Sequence, residues 1–153
     1  MRGDGYNALS LLLPNGSRIV GVPGKETNIR GFSAVSLLLI DEASLVPDAM
    51  YKALRPMLAV NNGDLWMMST PRGKRGFFWR IWTSGGPEWE RVMAPATECA
   101  RIRPEFLEEE RGEMGDAHFR QEYLCEFIDS GTGWFRRGVV EAALDYDLEP
   151  LVI

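Results

Sequence analysis

The residues best suited to chemistry are Asp41 and Glu42, which follow four apolar residues, Leu37-Leu38-Leu39-Ile40. A short continuous apolar run places the backbone in a strand covered on both faces, and both carboxylates emerge at its C-terminal end. Ligand sites of open α/β sheets lie at that end. An aspartate there can hold Mg²⁺, usually through the metal's waters, and a glutamate beside it can orient and deprotonate an attacking water. Taken alone, such a pair more often merely caps the next element. A second feature shifts that balance: Met68-Ser69-Thr70-Pro71 ends the next expected strand, with one helix between. Hydroxyls at a strand tip can sense a γ-phosphate or position water, although Ser-Thr-Pro by itself is an ordinary turn. Two polar tips one helix apart favour a nucleotide-hydrolysing site.

The elements that must position these residues follow from patterning. Asn7 to Leu13 and Ser17 to Val22 read as strands joined at Pro14-Asn15-Gly16, a hairpin, and a loop runs from Pro23 to Gly31. Val35 to Ile40 and Asp64 to Met68 are the two site strands. Between them a helix is expected from Pro47 or Asp48 to Leu58, with Met50, Leu54, Met57 and Leu58 on one face, ending at Asn61-Asn62-Gly63. A Gly- and Arg-rich loop, Pro71 to Gly76, leads to an aromatic helix at Phe77 to Trp82. Trp89 to Ala94 reads as a strand, Pro104 to Glu113 as a charged helix, and Asp116 to Phe127 as another beyond the breaker Gly115. Alternating strands and helices argue for an α/β sandwich.

Composition narrows the function classes. The chain has 153 residues, 45% hydrophobic and 25% charged, the profile of one globular domain. Its net charge of -5 gives no global basic field, so a nucleic-acid contact would need a local patch or a partner. Two cysteines, Cys99 and Cys125, and one histidine, His118, exclude a zinc finger or a disulfide scaffold. No apolar run reaches the ~20 residues of a membrane span, and no secretory signal is visible at Met1 to Gly5. A cytoplasmic protein is expected.

Asn28-Ile29-Arg30-Gly31, Leu37 to Ser44, and Gly63 to Gly76 (G-D-L-W-M-M-S-T-P-R-G-K-R-G) together resemble the large terminase subunit of tailed bacteriophages. The similarity continues through Arg103-Pro104-Glu105-Phe106-Leu107 and Gln121 to Phe127, so that residues 7 to 136 are covered. The resemblance implies a P-loop NTPase-like three-layer sandwich with a mainly parallel sheet. It implies that Asp41 is the Walker B aspartate on Mg²⁺, Glu42 the catalytic glutamate, and Ser69 and Thr70 the motif that couples ATP hydrolysis to DNA movement. It also implies double-stranded DNA, a portal protein and a small terminase subunit as partners, and a ring of identical subunits. Residues 1–136 would be a partial ATPase domain and 137–153 a tail or the start of a linker to a nuclease.

Two departures qualify the match. No G-x-x-x-x-G-K-[ST] occurs; Gly21-Val22-Pro23-Gly24-Lys25-Glu26 lacks the hydroxyl and the spacing, so the backbone cradle and lysine for phosphates are missing. The sheet is therefore expected to lack its phosphate-loop strand, as in a truncated or split gene, and the isolated chain to be inactive. Nor does Glu141 to Ile153 show a metal-binding strand, and Asp145 and Asp147 read as a solvated acidic tail. The cluster Arg72, Lys74, Arg75 and Arg80 suits either phosphate contacts or a solvated loop, while Phe77, Phe78, Trp79 and Trp82 read as core. Arg30, Arg72 and Arg75 are the candidate nucleotide-binding cations, Arg30 suiting a structural carboxylate pair as well. His118 reads as a packing or surface residue. The rival identities are a fragment of another DE-type motor such as a helicase, and a non-catalytic prophage remnant.

Overall fold

The computed structural model describes residues 2–4, 7–22, 32–129, 139, 142 and 143. The chain divides into two compact units, Met1–Thr70 with Arg75–Val92, and Pro71–Lys74 with Met93–Ile153. The expected boundary at 136 and 137 lies outside the described residues, as do Asp145 and Asp147.

In the first unit, β1 (Arg2–Asp4), β2 (Asn7–Leu12) and β3 (Arg18–Val20) form an antiparallel sheet in the order β1-β2-β3. The expected hairpin is β2–β3, registered Ser10 to Val20 and Leu12 to Arg18, and Asn15 Oδ1 accepts the Ser17 N–H at 3.0 Å inside its turn. β1 carries no periodic signal and pairs with β2 through an irregularity at Gly3 and Asp4.

β4 (Leu37–Ile40) and β5 (Asp64–Met67) form a parallel pair, Leu37 opposite Asp64 and Ile40 opposite Met67. Parallel neighbours need a crossover, supplied by α1 (Asp48–Leu54) and a 3₁₀ turn at Arg55–Leu58. The expected single helix to Leu58 changes character at Pro56, whose ring clashes with an α-helical carbonyl four residues back. Its apolar face is as expected: Met50, Leu54, Met57 and Leu58 are buried. Gly63 is required where β5 starts, because a Cβ there would sit 2.2 Å from the Val35 carbonyl oxygen.

Among the described residues the strands are covered on one face only, which corrects the expectation of two. Ile40 is buried and Leu38, Leu65 and Met67 half-buried, whereas Leu37, Leu39 and Trp66 are exposed. Four apolar residues in a row encode a strand but do not report how many layers cover it. α2 (Gly76–Ser84) completes this unit. Its Phe77, 1% exposed, stacks on Tyr51 of α1 with centroids 4.1 Å apart and planes at 7°. The strand expected at Trp89 to Ala94 does not form. Instead Arg91 donates to the carbonyls of Ile81, Trp82, Gly86 and Trp89, drawing irregular chain around the C-terminal end of α2.

In the second unit, α3 (Pro104–Met114) and α4 (Asp116–Leu124) form a helical hairpin broken at Gly115, φ +80°. α4 stops short of the expected Phe127 because Cys125 turns left-handed, φ 56°, and the Glu126 N–H returns to the Arg120 carbonyl. His118 is exposed on α4. No helix among the described residues is long and apolar enough to cross a membrane.

Candidate functional site

Asp41 and Glu42 form the turn that leaves β4, both exposed, directly after buried Ile40. One Asp41 carboxylate oxygen accepts the Glu42 N–H at 3.0 Å, and among the described residues nothing engages its second oxygen. Glu42 is left-handed, φ 49° and ψ 43°. For an L-residue that conformation costs about 1 kcal/mol, so its neighbours must hold it.

The holding contacts come from the tip of β5. Met68 N–H donates to the Ile40 carbonyl and Ala43 N–H to the Met68 carbonyl, both at 3.0 Å, extending the ladder past the carboxylates. Beyond it, the Ser44 N–H donates to Ser69 Oγ at 3.1 Å, and the two serine hydroxyls lie 2.8 Å apart. Ser69 Oγ is also 2.9 Å from the Thr70 carbonyl. A hydroxyl has one proton and two lone pairs. The arrangement that satisfies every group has Ser69 donating to Thr70 and accepting from both the amide and the hydroxyl of Ser44.

A second fastening lies one turn on. Asp48 Oδ1 accepts the Phe77 N–H at 2.7 Å, and its other oxygen pairs with Arg80 at 2.7 Å. It therefore caps the N-terminus of α2 from α1. The Arg80 hydrogen bond is the main reason that the Asp48 carboxyl titrates below its ordinary value, with the Phe77 amide helping. Gly76, φ +78°, opens α2 with a conformation that suits glycine.

The structure thus brings Asp41, Glu42, Ser69 and Thr70 to adjacent tips of one parallel pair. Arg75 is exposed immediately before α2, and Arg72 and Lys74 are exposed in the second unit. Among the described residues no ion pair engages these three, whereas Arg80 is committed to Asp48. Arg30 lies outside the described residues. Sequence reasoning missed Ser44 and Asp48. Their partners are 25 and 29 residues away, and an acidic residue in a helix's first turn reads as serving its own helix.

No group of three or more potential metal-binding side chains occurs among the described residues. A single open aspartate oxygen nevertheless suits Mg²⁺, which keeps waters and binds through one or two carboxylates plus phosphates. The donor set therefore fits a metal that arrives with a nucleotide, not a caged structural ion.

No protein-family profile matches the chain. It is 29% identical over 125 residues to the large terminase subunits of Thermus phage G20c and Thermus virus P23-45, covering 71% of this chain and 26% of each relative. The ATPase domain of the large terminase of Thermus phage P74-26 superposes with a TM-score of 0.62 at 26% identity, over 76% of this chain and 55% of that one. A single-site arginine variant of that domain superposes equally well, at 24% identity. The chain spans about a quarter of the length of the curated relatives it matches. Sequence and fold agree that this α/β chain is similar to phage large terminase subunits, in fold over the ATPase domain.

Proposed function

We propose that this chain supplies the water-activating half of a Mg²⁺-ATP hydrolysis site in a large terminase subunit, residues 1–136 forming part of the ATPase domain. The observation that carries the reading is the juxtaposition of Asp41-Glu42 and Ser69-Thr70 at hydrogen-bonded tips of β4 and β5. Asp41 would hold Mg²⁺ with its open oxygen. The ion, when bound, neutralises charge on the nucleotide's phosphate oxygens. Glu42 orients water and takes its proton. Ser69 and Thr70 link the state of that turn to DNA movement, and Arg30, Arg72 and Arg75 contact nucleotide phosphates. The complete assembly is a ring acting on double-stranded DNA with a portal protein and a small terminase subunit, in the cytoplasm of a bacterial host.

The sequence contains no G-x-x-x-x-G-K-[ST], so nothing in it supplies the usual phosphate cradle. Calorimetry with Mg²⁺-ATP and a phosphate-release assay on this chain alone are expected to show weak or no binding and no turnover. In a large terminase carrying this segment, Glu42→Gln is expected to retain ATP binding and lose turnover by about 10²–10⁴-fold, the usual contribution of a positioned base. Turnover within a few-fold of the parent removes Glu42 from that role.

A further inference from the structure

We infer that Ser44 is a positioning residue: through Ser69 it holds the Glu42 backbone left-handed and so aims the Glu42 carboxylate. The inference deepens the reading above and rests on it for its catalytic consequence, but its geometric content stands on its own. Glu42 occupies a conformation that its side chain disfavours, with φ 49°. The Glu42 carbonyl accepts the Leu45 N–H at 2.8 Å, so any relaxation of Glu42 must displace the turn that contains Ser44. That turn has two anchors to β5's tip, the Ala43 N–H on the Met68 carbonyl and the Ser44 amide and hydroxyl on Ser69 Oγ. The first is backbone and independent of side-chain identity. In the second, the Ser44 amide needs only the Ser69 hydroxyl, while the bond between the two hydroxyls needs both side chains.

The same contact defines what Ser69 does in this arrangement. Its hydroxyl lies within hydrogen-bond distance of the Ser44 amide, the Ser44 hydroxyl and the Thr70 carbonyl, so it is engaged within the protein. Ser69 therefore acts on the nucleotide site through the direction of Glu42, while the neighbouring Thr70 hydroxyl remains for ligand contact. Movement of the β5 tip by the length of one hydrogen bond releases Ser44 and lets Glu42 leave its strained conformation. Hydrolytic competence is thereby tied to the position of the chain segment that leads into α2.

The test uses backbone resonances of this chain, which need no catalytic activity. Ser69→Ala is expected to shift the Glu42 Cα and Cβ resonances away from left-handed values and to raise Ser44 amide exchange about tenfold. Ser44→Ala should shift Glu42 in the same direction, and Ser44→Thr, which keeps the hydroxyl, should restore the parent values. In a large terminase carrying the segment, Ser44→Ala should lower kcat with KM unchanged, and Ser44→Thr should rescue it. Unchanged Glu42 resonances in Ser69→Ala overturn the inference, as does failure of Ser44→Thr to rescue a shifted spectrum. Glu42 resonances that move while Glu42→Gln leaves turnover intact would instead sink the general-base role and leave the positioning of Glu42 standing.

Discussion

In the β4–β5 pair, Leu37, Leu39 and Trp66 remain 46%, 53% and 61% exposed, whereas the α3–α4 hairpin encloses Leu107 and Phe119 at 8% and 4%. The hairpin closes its own surface. Tyr123 donates to Glu110 across the helices at 2.8 Å, Arg111 spans to Asp116 at 3.1 Å and lies 4.9 Å over the Phe119 ring, and Arg120 is clamped by Glu126. The strand pair instead spends its polar contacts on the tips that carry Asp41 and Ser69, and leaves an apolar face with none. A helical hairpin can finish its core locally because both partners are adjacent in sequence. A parallel pair needs further layers and neighbouring strands. The strand pair is therefore fastened at its tips and unfinished along its flank.

Removing one enclosed ring from each region gives the largest expected effect. Phe77→Ala against Tyr51 and Phe119→Ala in the hairpin should each cost about 3–5 kcal/mol, read as a fall in denaturant midpoint. Loss of amide protection should begin at α1 and α2 for the first and at α3 and α4 for the second. A variant within 1 kcal/mol of the parent would show that its region does not depend on the ring.

The open flank is tested by Trp66→Lys. Among the described residues β5 pairs with β4 alone, so an apolar face and an open strand edge occur together, a template for association. The parent should grow in light scattering with concentration, and the lysine variant should stay monodisperse. A parent that is already a monomer at high concentration would remove the contrast between the two regions.

The smallest effect concerns the polar end. The Asp48 carboxyl is lowered from 3.8, chiefly by its hydrogen bond to Arg80. A depressed folded value stabilises the protein above the unfolded pKa, and that contribution is lost as pH falls through the folded value. The carboxylate is 38% exposed, so solvent screening limits the gain to about 1 kcal/mol or less. Asp48→Asn should lower stability at pH 7 by that amount and flatten the acid limb below about pH 4 in thermal scans. An unchanged acid limb would show that the cap works by geometry alone.

What could be read in the sequence follows the same division. The β2–β3 hairpin was legible because Pro14-Asn15-Gly16 states its turn locally, and β4 and β5 because continuous apolar runs mark strands. The buried face of α1 was legible from spacing, although Pro56 set its end earlier than the apolar pattern did. The segment around Arg91 was misread because its apolar residues suit a strand, while the guanidinium holds it as irregular chain on carbonyls at the C-terminal end of α2. At the site, the carboxylates and hydroxyls were visible as residue types at strand ends. The Ser44–Ser69 bridge and the Asp48 cap were not, because no local pattern encodes a hydrogen bond across 25 or 29 residues.

Gly63 has a consequence that reaches the far end of β5. With no side chain, it lets the chain pass close against the Val35 carbonyl, and this close passage sets Asp64 opposite Leu37 as the first rung of the ladder. Any larger residue would meet that oxygen at 2.2 Å and push the strand's starting point along its neighbour. Because side chains alternate at every step, a slip of one residue would turn Trp66 to the covered face and Leu65 and Met67 outward. The same slip would carry Ser69 past Ser44 and out of phase with Glu42. An absent methyl group at the start of the strand thus acts as the ruler from which the position of Ser69, six residues further on, is measured.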